Sequence, residues 1–179
     1  MKSSSIVLFI ACSIIILPSS ARIDVTESFF PSGTMGDWGD ISLEESSKEN
    51  PMTGPDCIKI IYSAAQSQGR GFAGICWQYP DANTGSEPGR DLAGITHLSF
   101  WARGFLGGEV AEFSVGGGPS DSMPKISTSP ITLSDQWQRY ALDLSGQDLS
   151  SMASGFCLIV TKDTNPTGSA IYLDDIFYE

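Results

Sequence analysis

The chain has 179 residues, of which 41% are hydrophobic, and Lys+Arg 10 against Asp+Glu 21 give a formal net charge of −11. So acidic a chain repels nucleic acid and anionic membrane surfaces, which excludes both as partners and leaves neutral ligands or cations. Its length suits one domain with one core.

In chain order, the sequence opens on Met1–Ala21, which reads as a secretory leader. Lys2 makes a basic start, an apolar run from Ile6 to Leu17 follows, and Pro18, Ser19 and Ala21 provide a small-residue cut site after Ala21. The run is short for a membrane span, so an uncleaved anchor is the lesser alternative. Cleavage discards Cys12, sends the chain to an extracellular or periplasmic space, and leaves residues 22–179 as a single domain with no membrane insertion.

The remainder shows no helical periodicity. Short stretches alternate apolar and polar residues at period two, separated by Gly, Pro, Asn, Asp and Ser clusters. The expected strands are DVTESFF, WGDISLEE, CIKIIYS, GFAGICWQY, THLSFWARG, EVAEFSVGG, ISTSPITL, QWQRYALDL, GFCLIVT and AIYLDDIFY. So many strands with no helix predict an all-β fold, a sandwich or a barrel. Alternation also assigns faces: Leu98, Phe100 and Ala102 share one face, and His97, Ser99, Trp101 and Arg103 the other. In the next strand Ala111, Phe113 and Val115 oppose Glu112 and Ser114.

Cys57, Cys76 and Cys157 each fall in a strand and read as small buried apolar residues, with one disulfide plus one free thiol as the alternative. The last strand poses a question of its own, because Asp174 and Asp175 stand side by side between apolar residues. A buried ionised carboxylate is costly unless something pairs with it, so a partner is expected.

The stretches LSFWARG, SDQWQRYALDLSG and above all IYLDDIFYE resemble the galactose-binding-like jelly rolls, the fold of many secreted noncatalytic carbohydrate-binding modules. The likeness runs over nearly the whole of residues 22–179 and implies a two-sheet antiparallel β-sandwich. It also implies a structural calcium at the sandwich edge, with Asp174 or Asp175 as last-strand ligand and Asp24, Glu27 or Glu44 contributing from the N-terminal strands. Calcium takes six to eight oxygen ligands and would offset the burial of a carboxylate. The alternative is that both aspartates accept backbone N–H or Arg/Lys bonds.

Glycan recognition needs a flat apolar platform beside donors and acceptors for hydroxyls. Among the four tryptophans, Trp137 resembles the family's structural residue and is expected in the core, Trp77 reads as core before platform, and Trp101 is the best platform. The expected ligand groove is Trp101, Arg103 and Glu112, joined by Trp77, Gln78 and Tyr79. It would bind a neutral polysaccharide or glycan as a monomer. Alternatively, Trp101 packs under a loop such as 80–90 while Arg103 and Glu112 form a cross-strand ion pair. A cell-surface structural or protein-interaction module is the second function class. A jelly-roll glycosidase or lyase, with acids drawn from Glu109, Glu112, Asp121 and Asp143, is the third. No hydrolase motif singles those acids out.

Overall fold

A computed structural model describes residues 22–179; the expected leader, its cut after Ala21 and Cys12 lie outside the described residues. The chain begins with β1 (Ile23–Asp24), a one-turn helix α1 (Val25–Ser28) and β2 (Phe30–Gly36), followed by β3 (Ile41–Ser47) and β4 (Cys57–Tyr62). The middle supplies β5 (Phe72–Gln78), β6 (His97–Gly104), β7 (Val110–Val115), β8 (Ile126–Ser127) and β9 (Ile131–Thr132). It closes with β10 (Gln138–Asp143), β11 (Ser154–Thr161) and β12 (Ser169–Tyr178). Two antiparallel sheets result. The first runs β10-β6-β12-β4-β3 with β1 also on β12; the second runs β2-β5-β11-β7-β8 with β9 also on β7.

Most expected strands form where alternation placed them, and three local differences have local causes. VTES is a helical turn because the Asp24 carboxylate caps it, accepting from the N–H and hydroxyl of Thr26. PSGTMG is strand in spite of Pro31, Gly33 and Gly36, because β2 is an edge strand, where a missing N–H costs no ladder bond. The stretch ISTSPITL splits into β8 and β9, broken by Ser129 at a φ of 44° and by Pro130.

The inward faces meet in an aromatic core. Phe100 of the first sheet lies 4.7 Å from Phe113 and 5.2 Å from Phe156 of the second, and Trp77 packs 5.6 Å from Phe156, centroid to centroid. Each such side chain, taken fully out of water, contributes about 2 kcal/mol. The Tyr178 hydroxyl donates across the sandwich to the Gly155 carbonyl at 2.5 Å, and Gly155 is bare because the Phe29 ring occupies the space of a Cβ.

The Asp174–Asp175 pair sits at a β-bulge. Asp174 faces Trp101 and Phe177 faces Ser99, so β12 spends one residue more than β6 over that interval, and Asp175 takes a φ of 49°. Here β12 also changes its other neighbour, from β4 over Ser169–Leu173 to β1 at Phe177 and Tyr178. The partners of the carboxylates are backbone N–H groups for Asp174 and a hydroxyl for Asp175. Asp174 accepts from the N–H groups of Met52, Thr53 and Asp175, and Asp175 accepts from the Thr53 hydroxyl. Burial raises the Asp174 pKa above the ordinary carboxylate value, against the pull of the Thr53 and Met52 N–H groups. The bulge thereby anchors the 48–56 loop.

Candidate functional site

That loop decides what the outer face of the first sheet can do. Glu49 pairs with Lys59 and accepts from the Tyr172 hydroxyl, and its backbone carbonyl takes an N–H from Arg103 at 2.8 Å. Asn50 offers its carbonyl to the Trp137 indole N–H at 2.9 Å. Beneath this roof the Arg103 guanidinium lies 3.8 Å from the Tyr172 ring centroid and 5.3 Å from that of Trp137. Arg103 is only 7% exposed. It serves as a packing clamp, its planar cation taken up by two rings and two carbonyls. Trp137 belongs to the same assembly, on the outer face beside the loop and not between the sheets.

The expected groove does not assemble. Trp101 and Arg103 project from β6 in the first sheet, whereas Glu112 projects from β7 in the second, so the sandwich thickness separates them. Glu112 pairs instead with Lys125 at 2.6 Å, and no Arg103–Glu112 ion pair exists. Trp77 is 1% exposed and belongs to the core. Gln78 ties down a loop, donating to the Asn83 carbonyl at 3.0 Å and accepting from the Ser32 hydroxyl at 3.2 Å. Tyr79 packs edge-on to Phe29 with the Arg90 guanidinium over its ring. Of the six residues Trp77 and Arg103 are buried and the other four are partly exposed, Trp101 on the outer face of the first sheet with its ring not tied to a loop.

An open depression of about 380 Å³ is lined by Thr96, His97, Ser99, Arg139, Ala141 and Glu179, and Trp101 is the cross-strand neighbour of Arg139 on the same face. Three strands build it. Ser99 precedes Trp101 by two residues on the same face of β6, Arg139 of β10 stands opposite Trp101, and Phe177 of β12 stands opposite Ser99. Arg139 donates to the Ser99 hydroxyl at 2.9 Å and to Glu179 at 2.6 Å, and Ser99 donates to the same carboxylate. The Ser99 bond, followed by the Arg139 charge, holds the Glu179 carboxyl below the usual carboxylate range. The Arg139 and Glu179 side chains remain 54% and 38% exposed, so each keeps hydrogen-bonding capacity free for a ligand. His97 stands at the rim, its Nε2 3.8 Å from Asp143. The floor position of Ser99 and the rim position of His97 are legible from β6 alternation. Arg139 and Glu179 are not, because only the pairing order β10-β6-β12 puts them there.

The outer face of the second sheet is different. Cys76 and Cys157, directly opposite on β5 and β11, form a disulfide there, and Cys57 stays free and buried. With Met35, Ile159 and Ser114 the disulfide lines a cavity of about 190 Å³. Burial raises the Cys57 thiol to about 11.

Of the expected calcium ligands, Asp24, Asp174 and Asp175 do line one cleft of about 130 Å³ together with Asp56. Glu27 and Glu44 do not: Glu27 is exposed on α1, and Glu44 is exposed on β3 opposite Lys59. Among the described residues no group of three or more His, Cys, Asp and Glu side chains is arranged to hold a metal ion. With Asp174 engaged by three N–H groups, the donor set does not fit a calcium ion as it stands. Three of the four acids considered for hydrolysis are committed locally as well. Asp121 accepts from Gly118, Ala153 and Ser154, Asp143 from Ser145, and Glu109 from Leu106.

No protein-family profile and no curated protein matches the sequence. Solved structures do. A family 11 carbohydrate-binding module from Clostridium thermocellum, in complex with a β-1,3-1,4-mixed-linked tetrasaccharide, superposes with a TM-score of 0.60 at 13% identity, covering 88% of this chain and 93% of the module. A family 30 module of a cellulosomal cellulase from the same organism gives a TM-score of 0.61 at 14% identity, over 89% of this chain and 97% of the module. The chain therefore has the β-sandwich fold of these carbohydrate-binding modules.

Proposed function

We propose that the chain is an exported, noncatalytic glycan-binding module whose site is the depression beside Trp101 on the first sheet. The observation that carries this reading is the Ser99–Arg139–Glu179 network on the same face as Trp101 and Phe177. A volume of about 380 Å³ also falls within the range of about 300–1,000 Å³ usual for small-ligand sites. Stacking on Trp101 would remove the C–H face of a sugar ring from water. Arg139 and Glu179, each oriented by the other, would then offer a donor and an acceptor to neighbouring hydroxyls. Because the two charges offset one another, the site favours a neutral glycan. The fold shared with carbohydrate-binding modules supports the ligand class, and the leader-like first residues support export.

The test is affinity electrophoresis of the secreted protein through gels containing soluble neutral polysaccharides, run with calcium and with chelator. Retardation by at least one polysaccharide, equal under both conditions and lost in Trp101→Ala and Arg139→Ala proteins that keep the wild-type melting temperature, is the expected result. No retardation by any polysaccharide would overturn the reading in favour of a structural or protein-interaction module.

A further inference from the structure

A second aromatic stands apart from this site and from the core. Trp38 is 60% exposed, on the 3-10 turn Trp38–Asp40 that carries the chain from β2 in the second sheet to β3 in the first. A lone exposed aromatic is ordinary. The support beneath this one is not.

The residues on either side of the Trp38–Gly39 step are aspartates, 0% exposed at Asp37 and 5% at Asp40. Asp37 accepts from the N–H groups of Gln68, Arg70 and Gly71 at 2.7 to 2.9 Å. Asp40 accepts from the N–H groups of Gln66 and Ser67 and from the Ser67 hydroxyl. Backbone bonds from Asp37 N–H to Phe72 and from Ser63 N–H to the Asp40 carbonyl close the frame, and Gly39 N–H bonds the Gln68 carboxamide. Two buried carboxylates thus lock the turn to the 63–71 loop. A plain connection between sheets needs no such expense, because a buried carboxylate is tolerated only when fully hydrogen-bonded. What the lock secures is the backbone that carries Trp38, with the exposed Gln68 and Arg70 side chains on the loop bonded to it. An exposed indole on a rigid turn, with amide and guanidinium side chains on the adjoining loop, suits a sugar ring.

The geometry points to Trp38 as a second, independent glycan contact. This rests on the glycan-binding reading. Trp38 precedes β3, whose first residue pairs with Tyr62 beside Ser169, beyond the Gly104 end of β6; the Trp101 depression lies toward the His97 end. Trp101 is three residues from the Gly104 end, roughly 10 Å at about 3.3 Å each, and β3 lies three strand spacings from β6 at about 4.8 Å apiece, so one sugar cannot bridge the two sites. They engage distant segments of one polymer or two separate chains, and a second tethered contact raises apparent affinity through effective concentration.

The experiment compares wild type, Trp38→Ala, Trp38→Tyr and Trp101→Ala proteins for retardation by whichever polysaccharide retards wild type, and for binding of a short oligosaccharide of the same glycan. Trp38→Ala is expected to weaken polymer retention at least ten-fold while leaving oligosaccharide binding at the Trp101 site and the melting temperature unchanged, and Trp38→Tyr is expected to restore most of the loss. Equal polymer retention by wild type and Trp38→Ala would overturn the second contact and leave the Trp101 site standing. Binding lost in Trp38→Ala but intact in Trp101→Ala would support the Trp38 contact and overturn the Trp101 site. Failure of wild type to bind any polysaccharide would overturn both.

Discussion

The two outer faces of the sandwich arise from the same alternating pattern and have opposite chemistry. On the first sheet the outward positions hold Trp101, Arg103, Tyr172 and Phe177, and a loop lies over half of them. On the second they hold Gly74, Cys76, Cys157, Ile159 and Ser114, joined by a covalent bridge. The comparison teaches that aromatic and charged side chains on a sheet surface are not in themselves a binding face. Arg103, Tyr172 and Trp137 look like ligand residues and serve as the packing layer under the 48–56 loop. The open quarter beside Trp101 is distinguished by partial exposure and by polar groups held in place without being used up.

The face held by the disulfide should show the largest loss of stability. Breaking Cys76–Cys157, which closes a loop with a sequence separation of 81, by a Cys76→Ser, Cys157→Ser double substitution is expected to cost about 3–4 kcal/mol in urea unfolding. On the opposite face, Arg103→Ala removes a buried cation from between two rings and leaves the Glu49 carbonyl unpartnered. A loss of about 2–3 kcal/mol is expected, with Arg103→Lys recovering only part of it because an ammonium lacks the planar fork. If Arg103→Ala instead proved as stable as wild type while glycan retention was lost, the roofed half of that face would be the binding half.

Next comes a pH effect. The folded Glu179 carboxyl titrates below its unfolded value, so its contribution is fully present above about pH 4–5 and is lost as pH falls through the lower folded value. Stability and glycan retention should both be flat from about pH 8 to 5 and should fall together in acid, whereas a Glu179→Gln protein should show no acid limb in retention. The smallest effect belongs to the exposed Lys125–Glu112 pair of the second face. Glu112→Gln is expected to shift stability by less than about 1 kcal/mol and to leave retention unchanged. A clear loss of retention there would move the glycan site to the second sheet.

Much of this protein follows from local rules. Period-two alternation assigned Leu98, Phe100 and Phe113 inward and His97, Ser99 and Trp101 outward, and the core bears this out, because side-chain direction in a strand depends only on the strand itself. Two of the three strand-boundary errors, at Val25–Ser28 and at Ser129, came from capping and from a positive φ, which compete with propensity over a few residues. Which sheet a strand joins depends on pairing with strands distant in the chain. Alternation can put Glu112 and Trp101 both on outward faces and still not say that the faces are opposite ones. The same holds for the bond between Cys76 and Cys157, for the loop that takes Arg103 out of solvent, and for the meeting of Ser99, Arg139 and Glu179. Those arrangements join residues 40 to 81 positions apart, and only the packed sheets bring them together.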